Sequence, residues 1–252
     1  MLGLMRRMKN KFIKRKSPIV IEHMEIDFIL SGLFDKYNLR ILDIGAHHGE
    51  ICDILERHND DHRFDMICIE PLLENYLVLN KKAKKYKRIN LQLFNIAISD
   101  KSGISTFYQG SSSTLFSKTP EWKEIFSNEF SSVKEVNVEC YSVKDFIDKY
   151  QIDTRNQFDF IKIDTEGHDL HVLKSICDAE IKSYAIMFEI DPRFEETSRG
   201  IDVLKTIGFS NFFIFCRTGI PTTYIGEYQG LQQLQDLKEK GKLDAGNVVA
   251  FH

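Results

Sequence analysis

Arg40-Ile-Leu-Asp-Ile-Gly-Ala-His-His-Gly49 joins a short apolar run to a pair of glycines. Ile41, Leu42 and Ile44 read as a strand buried on both faces. Gly45 and Gly49 permit a tight turn and a close backbone approach to a ligand, where a Cβ would intrude. From Glu50 to His58 the apolar positions Ile51, Ile54 and Leu55 recur at helical spacing. Strand, glycine turn and helix in that order form the junction at which open α/β sheets bind small ligands.

Charge narrows what that junction holds. The spacing is Asp-x-Gly-x-x-x-Gly rather than the G-x-G-x-x-G of a dinucleotide site, and Asp43 stands at the strand tip. A carboxylate there repels a pyrophosphate and suits a ligand carrying an ammonium and a sulfonium, such as S-adenosylmethionine. Phe64-Asp-Met-Ile-Cys-Ile-Glu70 is a second apolar run, and its terminal acid lies 21 residues beyond Gly49, where ribose hydroxyls are held. Glycines and acids also end ordinary parallel strands. Their order and spacing together favour a methyl donor. A dinucleotide-dependent sugar-modifying enzyme or oxidoreductase is the alternative, with a non-catalytic binding module of the same fold behind it.

With 252 residues and 42% apolar content the chain is long enough for one substantial core. The expected organisation is a basic leader over residues 1–18 and a single domain over 19–252. Residues 1–16 carry Arg6, Arg7, Lys9, Lys11, Lys14, Arg15 and Lys16 with no acid, leaving 27 basic against 37 acidic residues elsewhere. So acidic a body is a poor partner for nucleic acid. Met5, Met8 and Phe12 within the leader fit either a surface helix on anionic lipid or a solvated segment. Cys52, Cys68, Cys140, Cys177 and Cys216 show no metal-site spacing and read as buried free thiols of a reducing compartment. No run reaches membrane-spanning length, so the expected location is cytoplasmic, with peripheral contact at the inner membrane face as an option.

Further along, residues 19–37 read as a helix. Pro71 ends the second strand, and Glu74–Tyr86 is an amphipathic helix whose Lys81, Lys82, Lys84 and Lys85 form its wet face. Ile89–Phe94 is a third strand. Residues 104–140 interrupt the alternation with strands at Ile104–Tyr108 and Glu135–Tyr141, bracketing Ser111–Leu115 and a short helix near Trp122. An insert that long is expected to cover the ligand or shape the cleft. Ser142 and Asp145 make a capping-box-like helix start. Phe158-Asp-Phe-Ile-Lys-Ile-Asp-Thr-Glu-Gly167 is another buried strand with charges at its carboxyl end, and Tyr184–Ile190 a further one bearing Glu189. A helix over 198–207, strand 211–216, an amphipathic helix at Leu231, Leu234 and Leu237, and strand 247–251 complete the chain. About seven strands separated by helices imply an α/β, doubly wound, mostly parallel sheet.

The ordered motifs Asp43-Ile-Gly-Ala-His-His-Gly49, Ile69-Glu-Pro71, Asn95-Ile-Ala-Ile-Ser-Asp100, Ser113-Thr-Leu115 and Lys162-Ile-Asp-Thr-Glu-Gly167 resemble the FkbM family of S-adenosylmethionine-dependent methyltransferases over residues 41 to about 190. The resemblance implies a Rossmann-like class I fold with an antiparallel last strand. It places Asp43, Gly45 and Gly49, with Ala46 and His47 between them, at the methionine end of the donor. Glu70, followed by Pro71, goes to the ribose, and Asn95 with Ala97 near the adenine. Family members methylate hydroxyl groups, often on sugars or natural-product scaffolds, so a glycan or small-molecule hydroxyl is the expected acceptor. The family commonly has Asn where His47 stands, and the connection between the last two strands is longer here.

A hydroxyl must lose a proton to become a useful nucleophile. Asp164 is the expected base, with Glu166 sharing or orienting and Glu189 facing the same cleft. Strand alternation puts Lys162 on the side of Asp164, as a partner to the carboxylate or as a structural ion pair. If a divalent metal takes part, Asp164, Glu166 and Glu189 are the expected ligands, with His168 and His171 nearby. His47 and His48 read as donor-loop contacts, a second base or solvated histidines.

Overall fold

The computed structural model describes residues 24–33, 35–57, 61–109, 115–116, 134–191, 194–217, 223–243 and 245–252. The basic leader, Phe34, His58, Ser111–Thr114 and the helix expected near Trp122 lie outside them. Two compact units are present, residues 38–184 and a second made from the chain up to Tyr37 with Ala185–His252. In chain order the first elements are α1 (Met24–Gly32), β1 (Asn38–Ile44), α2 (Glu50–Arg57), β2 (Arg63–Ile69), α3 (Leu73–Ala83), β3 (Ile89–Phe94), β4 (Ala97–Ile98), β5 (Gly103–Gln109) and β6 (Leu115–Phe116). They are followed by β7 (Lys134–Tyr141), α4 (Val143–Tyr150), β8 (Phe158–Ile163), α5 (Asp169–Asp178), β9 (Ser183–Glu189), α6 (Glu195–Thr206), β10 (Asn211–Arg217), β11 (Thr223–Glu227), α7 (Leu231–Glu239) and β12 (Ala245–Phe251).

In the 38–184 unit the strands pair in the order β8-β1-β2-β3, every neighbour parallel. The chain steps outward from β1 to β3 and returns on the other side of β1. The order therefore reverses between β1 and β8, which is where ligand crevices open in α/β sheets. Asp43 stands opposite Lys162 across that reversal. All of β8 is buried, as are the final four residues of β1 and of β2, the signature of strands covered on both faces. Glu50 and Asp53 in the first turn of α2 and Arg57 in its last complement the helix dipole. Ser142 caps α4 as expected, its side chain accepting from the Asp145 amide. The return half of the box is relayed, because the Ser142 amide donates to Ser102 Oγ, which itself donates to Asp145.

The interruption of the alternation is a second sheet, β4-β7-β5-β6. β5 runs antiparallel to β7 and β6, and the short β4 runs parallel to β7. Ala97, Phe107, Val138 and Cys140 form its buried cluster. The insert thus recruits residues from before its expected start at 104.

In the other unit β9, β12, β10 and β11 pair in that order, all antiparallel. β12 opposes both neighbours, which is the antiparallel last strand the family resemblance implies. The long connection before it holds α7 and the unexpected strand β11. Phe28 of α1 packs edge-on to Phe213 and Phe251, with ring centroids 5.2 and 5.7 Å away. The cysteines are free, with Cys52 and Cys68 fully buried and their sulfurs 3.7 Å apart. Among the described residues no helix is long and apolar enough to cross a membrane.

Candidate active site

The glycine turn after β1 is tied to the end of β2. The amides of Gly45 and Ala46 both donate to the Ile69 carbonyl (2.9 and 3.0 Å), and Gly49 donates to Ala46 (2.8 Å). Gly45 has φ +82° and Gly49 φ +83°, so both need the left-handed freedom of glycine. Protein itself makes a close approach to both glycines. A Cβ on Gly45 would sit 1.9 Å from the Asp164 carbonyl oxygen, and one on Gly49 would sit 2.4 Å from Leu79. These glycines let β8 and α3 close onto the loop. Ala46 is buried at 2% exposure and faces the core.

His47 has φ 47°, backbone that Asn and His tolerate better than most side chains. That accounts for His standing where the family commonly has Asn. Its amide donates to Glu70 Oε2 (2.8 Å), and its Nδ1 lies 3.2 Å from Glu50 Oε1. The hydrogen bond to Glu50 raises the His47 imidazole above its usual value. Burial alone would raise Glu50, but His47 outweighs it and holds the carboxyl at about 2. Glu70 also accepts from the Leu72 amide (2.9 Å) and from Asn75 Nδ2 (3.3 Å). Burial raises its pKa against the pull of those bonds. A carboxylate with three donors keeps acceptor capacity for a hydroxyl. Asn95 donates to the carbonyls of Glu70 and Pro71, both at 2.9 Å, and so shapes the loop beyond the acid. Ala97 does not share that surface, because β4 carries it into the core of the small sheet.

At the tip of β8, Lys162 lies between two carboxylates. Its Nζ is 3.4 Å from Asp43 Oδ1 and 3.3 Å from Asp164 Oδ2, and it donates to the Gly45 carbonyl at 2.8 Å. Burial alone would lower the ammonium; Asp164 and Asp43 outweigh it and hold it well above the usual lysine value. Asp43 is sealed at 0% exposure, and neither of its oxygens has a hydrogen-bond partner. Burial raises its carboxyl even with Lys162 beside it. The charge read in the sequence as facing the donor is therefore spent on Lys162. Asp164 differs: its side chain is 41% exposed.

Beyond Asp164 the chain turns through Glu166 at φ 51° and Gly167 at φ 84°. Asp169 fastens this turn by accepting from the Thr165 amide (2.7 Å) and hydroxyl (2.5 Å). Burial, followed by repulsion from Asp164 and Asp169, lifts the Glu166 carboxyl to about 7. His168 and His171 are not plain surface residues. Ser99 Oγ is 2.9 Å from His168 Nε2, the two imidazoles stack at 4.5 Å, and His171 Nδ1 lies 3.2 Å from Asp100. Burial, with His171 beside it, lowers His168 to about 4. The one sequence signal for this network was the Ser99-Asp100 pair within the Asn95–Asp100 motif. Glu189 ends β9 in the other unit, in register with Asn247. Among the described residues, the ligand-type side chains gathered within 4.8 Å are His47, His48 and Glu50, not the expected set of Asp164, Glu166 and Glu189.

The arrangement fits a cationic donor. In the loop before the helix, the amides of Gly45, Ala46, His47 and Gly49 all have acceptors within the protein. Half-exposed Glu50 and Asp164 leave negative charge about the turn instead.

Comparison with known proteins agrees. Residues 43–210 match the Methyltransferase FkbM domain. No curated protein matches the chain. Among solved structures it is similar to the methyltransferase FkbM of Methylobacillus flagellatus, with 14% identity, TM-score 0.44, and coverage of 86% of this chain and 44% of that one. The chain thus spans less than half the length of that protein. It is similar as well to an S-adenosylmethionine-dependent O-methyltransferase of Thermotoga maritima, with 12% identity, TM-score 0.44, and coverage of 98% and 70%. A third is Aeropyrum pernix fibrillarin in complex with natively bound S-adenosyl-L-methionine, with 10% identity, TM-score 0.43, and coverage of 85% and 67%. The domain match covers more than half of the sequence, and the chain belongs to the FkbM family of S-adenosylmethionine-dependent methyltransferases.

Proposed function

We propose that the protein is an O-methyltransferase acting on a hydroxyl group, of a sugar in a glycan or glycolipid or of a natural-product scaffold. The observation that carries this reading is the pair of environments around Lys162: a sealed Asp43 beneath the glycine turn and a half-exposed Asp164 at the neighbouring strand tip. When bound, S-adenosylmethionine supplies an electrophilic methyl group and a neutral leaving sulfide. The chain supplies alignment and a proton acceptor, the two contributions that in-line transfer to an alcohol needs. In this reading Glu70 accepts from the donor's ribose, and the inward-turned loop leaves its carboxylates to face the donor's positive charge. Asp164 takes the hydroxyl proton while Lys162 holds it in place. Glu166, near neutrality, is suited to receive or orient that proton.

The basic segment at residues 1–16 would hold the enzyme at an anionic surface where lipid-linked glycans are presented. Transfer of labelled methyl from the donor is measured against a panel of neutral glycans, phosphosugars and amines. Turnover on neutral hydroxyl acceptors is expected, and transfer confined to amines removes the O-methyl reading. Liposome binding that survives deletion of residues 1–16 removes the membrane part alone.

A further inference from the structure

His47, His48 and Glu50 each offer a ligand-type atom within 4.8 Å of the others. Neighbouring residues of a regular strand or helix point apart. Here the left-handed backbone at His47 folds both rings to one side, where they stack with centroids 4.0 Å apart. His47 Nδ1 and Glu50 Oε1 are already 3.2 Å apart. That is close to the spacing of two ligands on a tetrahedral ion with bonds of about 2.0–2.1 Å. The hydrogen bond that the His47 amide donates to Glu70 and the one that Lys82 donates to the His48 carbonyl (2.8 Å) hold the backbone that presents the trio.

We infer that His47, His48 and Glu50 form a binding site for a divalent cation of the zinc type, and that its occupation opposes binding of the methyl donor. Two imidazoles and one carboxylate suit zinc and its neighbours in the first transition row, and three protein ligands leave a position for water. The site is built on the turn between β1 and α2, so this inference rests on the donor lying there. A dication added to that turn repels a ligand bearing a sulfonium and an ammonium. Zinc would thus act as a brake on the enzyme.

The test titrates Zn²⁺ into the metal-stripped full chain by calorimetry, for wild type, His48→Ala, Glu50→Gln and His47→Asn. The Asn variant keeps a residue suited to the left-handed backbone, and circular dichroism checks that all four fold. One zinc per wild-type chain is expected, weakened at least about tenfold in each variant, as loss of even an outer-shell partner can do. S-adenosylmethionine, which carries the sulfonium, is then titrated with and without saturating Zn²⁺. Its affinity for wild type is expected to fall about tenfold or more with zinc, and the loss to vanish in His48→Ala. Equal zinc affinity in all four proteins overturns the site. S-adenosylmethionine binding indifferent to zinc overturns the brake. A wild type that takes zinc at this trio but never takes S-adenosylmethionine sinks the donor reading and leaves the metal site standing.

Discussion

Asp43 and Asp164 stand at the tips of adjacent parallel strands and share one lysine, yet they live in opposite environments. Asp43 is fully enclosed and without a hydrogen bond, whereas the Asp164 side chain is 41% exposed. The enclosed side consists of groups answering one another: Gly45 and Ala46 to Ile69, His47 to Glu70, Lys162 to Asp43 and to the Gly45 carbonyl. The open side carries carboxylates in a turn with left-handed backbone at Glu166 and Gly167. Strain of that kind persists only where surrounding structure overdetermines it, and it concentrates at functional turns. One acid is therefore enclosed in the scaffold and the other is open to solvent, although the sequence shows two strand-end aspartates.

Removing the shared lysine tests this division most severely. Lys162→Met leaves Asp43 buried without a cation, and breaking a buried pair from one side costs about 3–5 kcal/mol. Urea unfolding should show that loss. Asp43→Asn should cost clearly less, since Lys162 keeps Asp164 and the Gly45 carbonyl. Combining the two substitutions should recover part of the loss, as contacting residues couple. A Lys162→Met protein within about 1 kcal/mol of wild type would mean that the enclosed pair is not what holds the tip together.

The mirror experiment is Asp164→Asn. A half-exposed ion pair contributes at most about 1 kcal/mol, so unfolding should barely change. Methyl transfer should slow by about 10²–10⁴-fold, the usual worth of a positioned base, while S-adenosylhomocysteine affinity holds. Full activity in this variant would leave Asp164 without the role its exposure gives it.

How far the sequence reached follows the same line. β1, β2 and β8 were legible because strands buried on both faces write continuous apolar runs. The Lys162–Asp164 contact was legible from alternation alone. The glycine turn was legible as geometry, but not what it admits: the Asp164 carbonyl and Leu79 come from distant sequence, and nothing in Asp-x-Gly-x-x-x-Gly names them. Lys82 was read as part of a wet helix face, yet it bonds to Asp53 (2.7 Å), which Tyr86 also reaches (2.8 Å). A helical wheel shows which residues leave one core, not which meet a second helix. The family resemblance places Ala97 near the adenine; its burial depends on β7, some forty residues on, coming back to pair with it. The contacts of His168 and His171 are hidden for the same reason, since Ser99 and Asp100 are remote in sequence.

Glu166 offers a smaller effect that sharpens the comparison, because its proton reports on the open side without breaking it. Its carboxyl is lifted from an ordinary 4.5 to about 7 by burial and then by Asp164 and Asp169. Between those values the folded chain binds more protons than the unfolded one, so stability falls as pH rises, and the loss is complete above about 7. Glu166→Gln escapes the loss and retains the same backbone strain, which cancels in the comparison. It should match wild type near pH 4 and exceed it by about 1–2 kcal/mol near pH 8 in thermal or urea unfolding, a pKa unit being worth about 1.4 kcal/mol. The kinetic sign is opposite. If the ionised carboxylate helps to receive the acceptor's proton, wild-type turnover climbs as pH passes about 7, just where stability has been given up, and the Gln variant loses that limb. A stability difference that does not depend on pH would show that Glu166 titrates like an ordinary surface acid, and the open turn would then owe its charge to Asp164 alone.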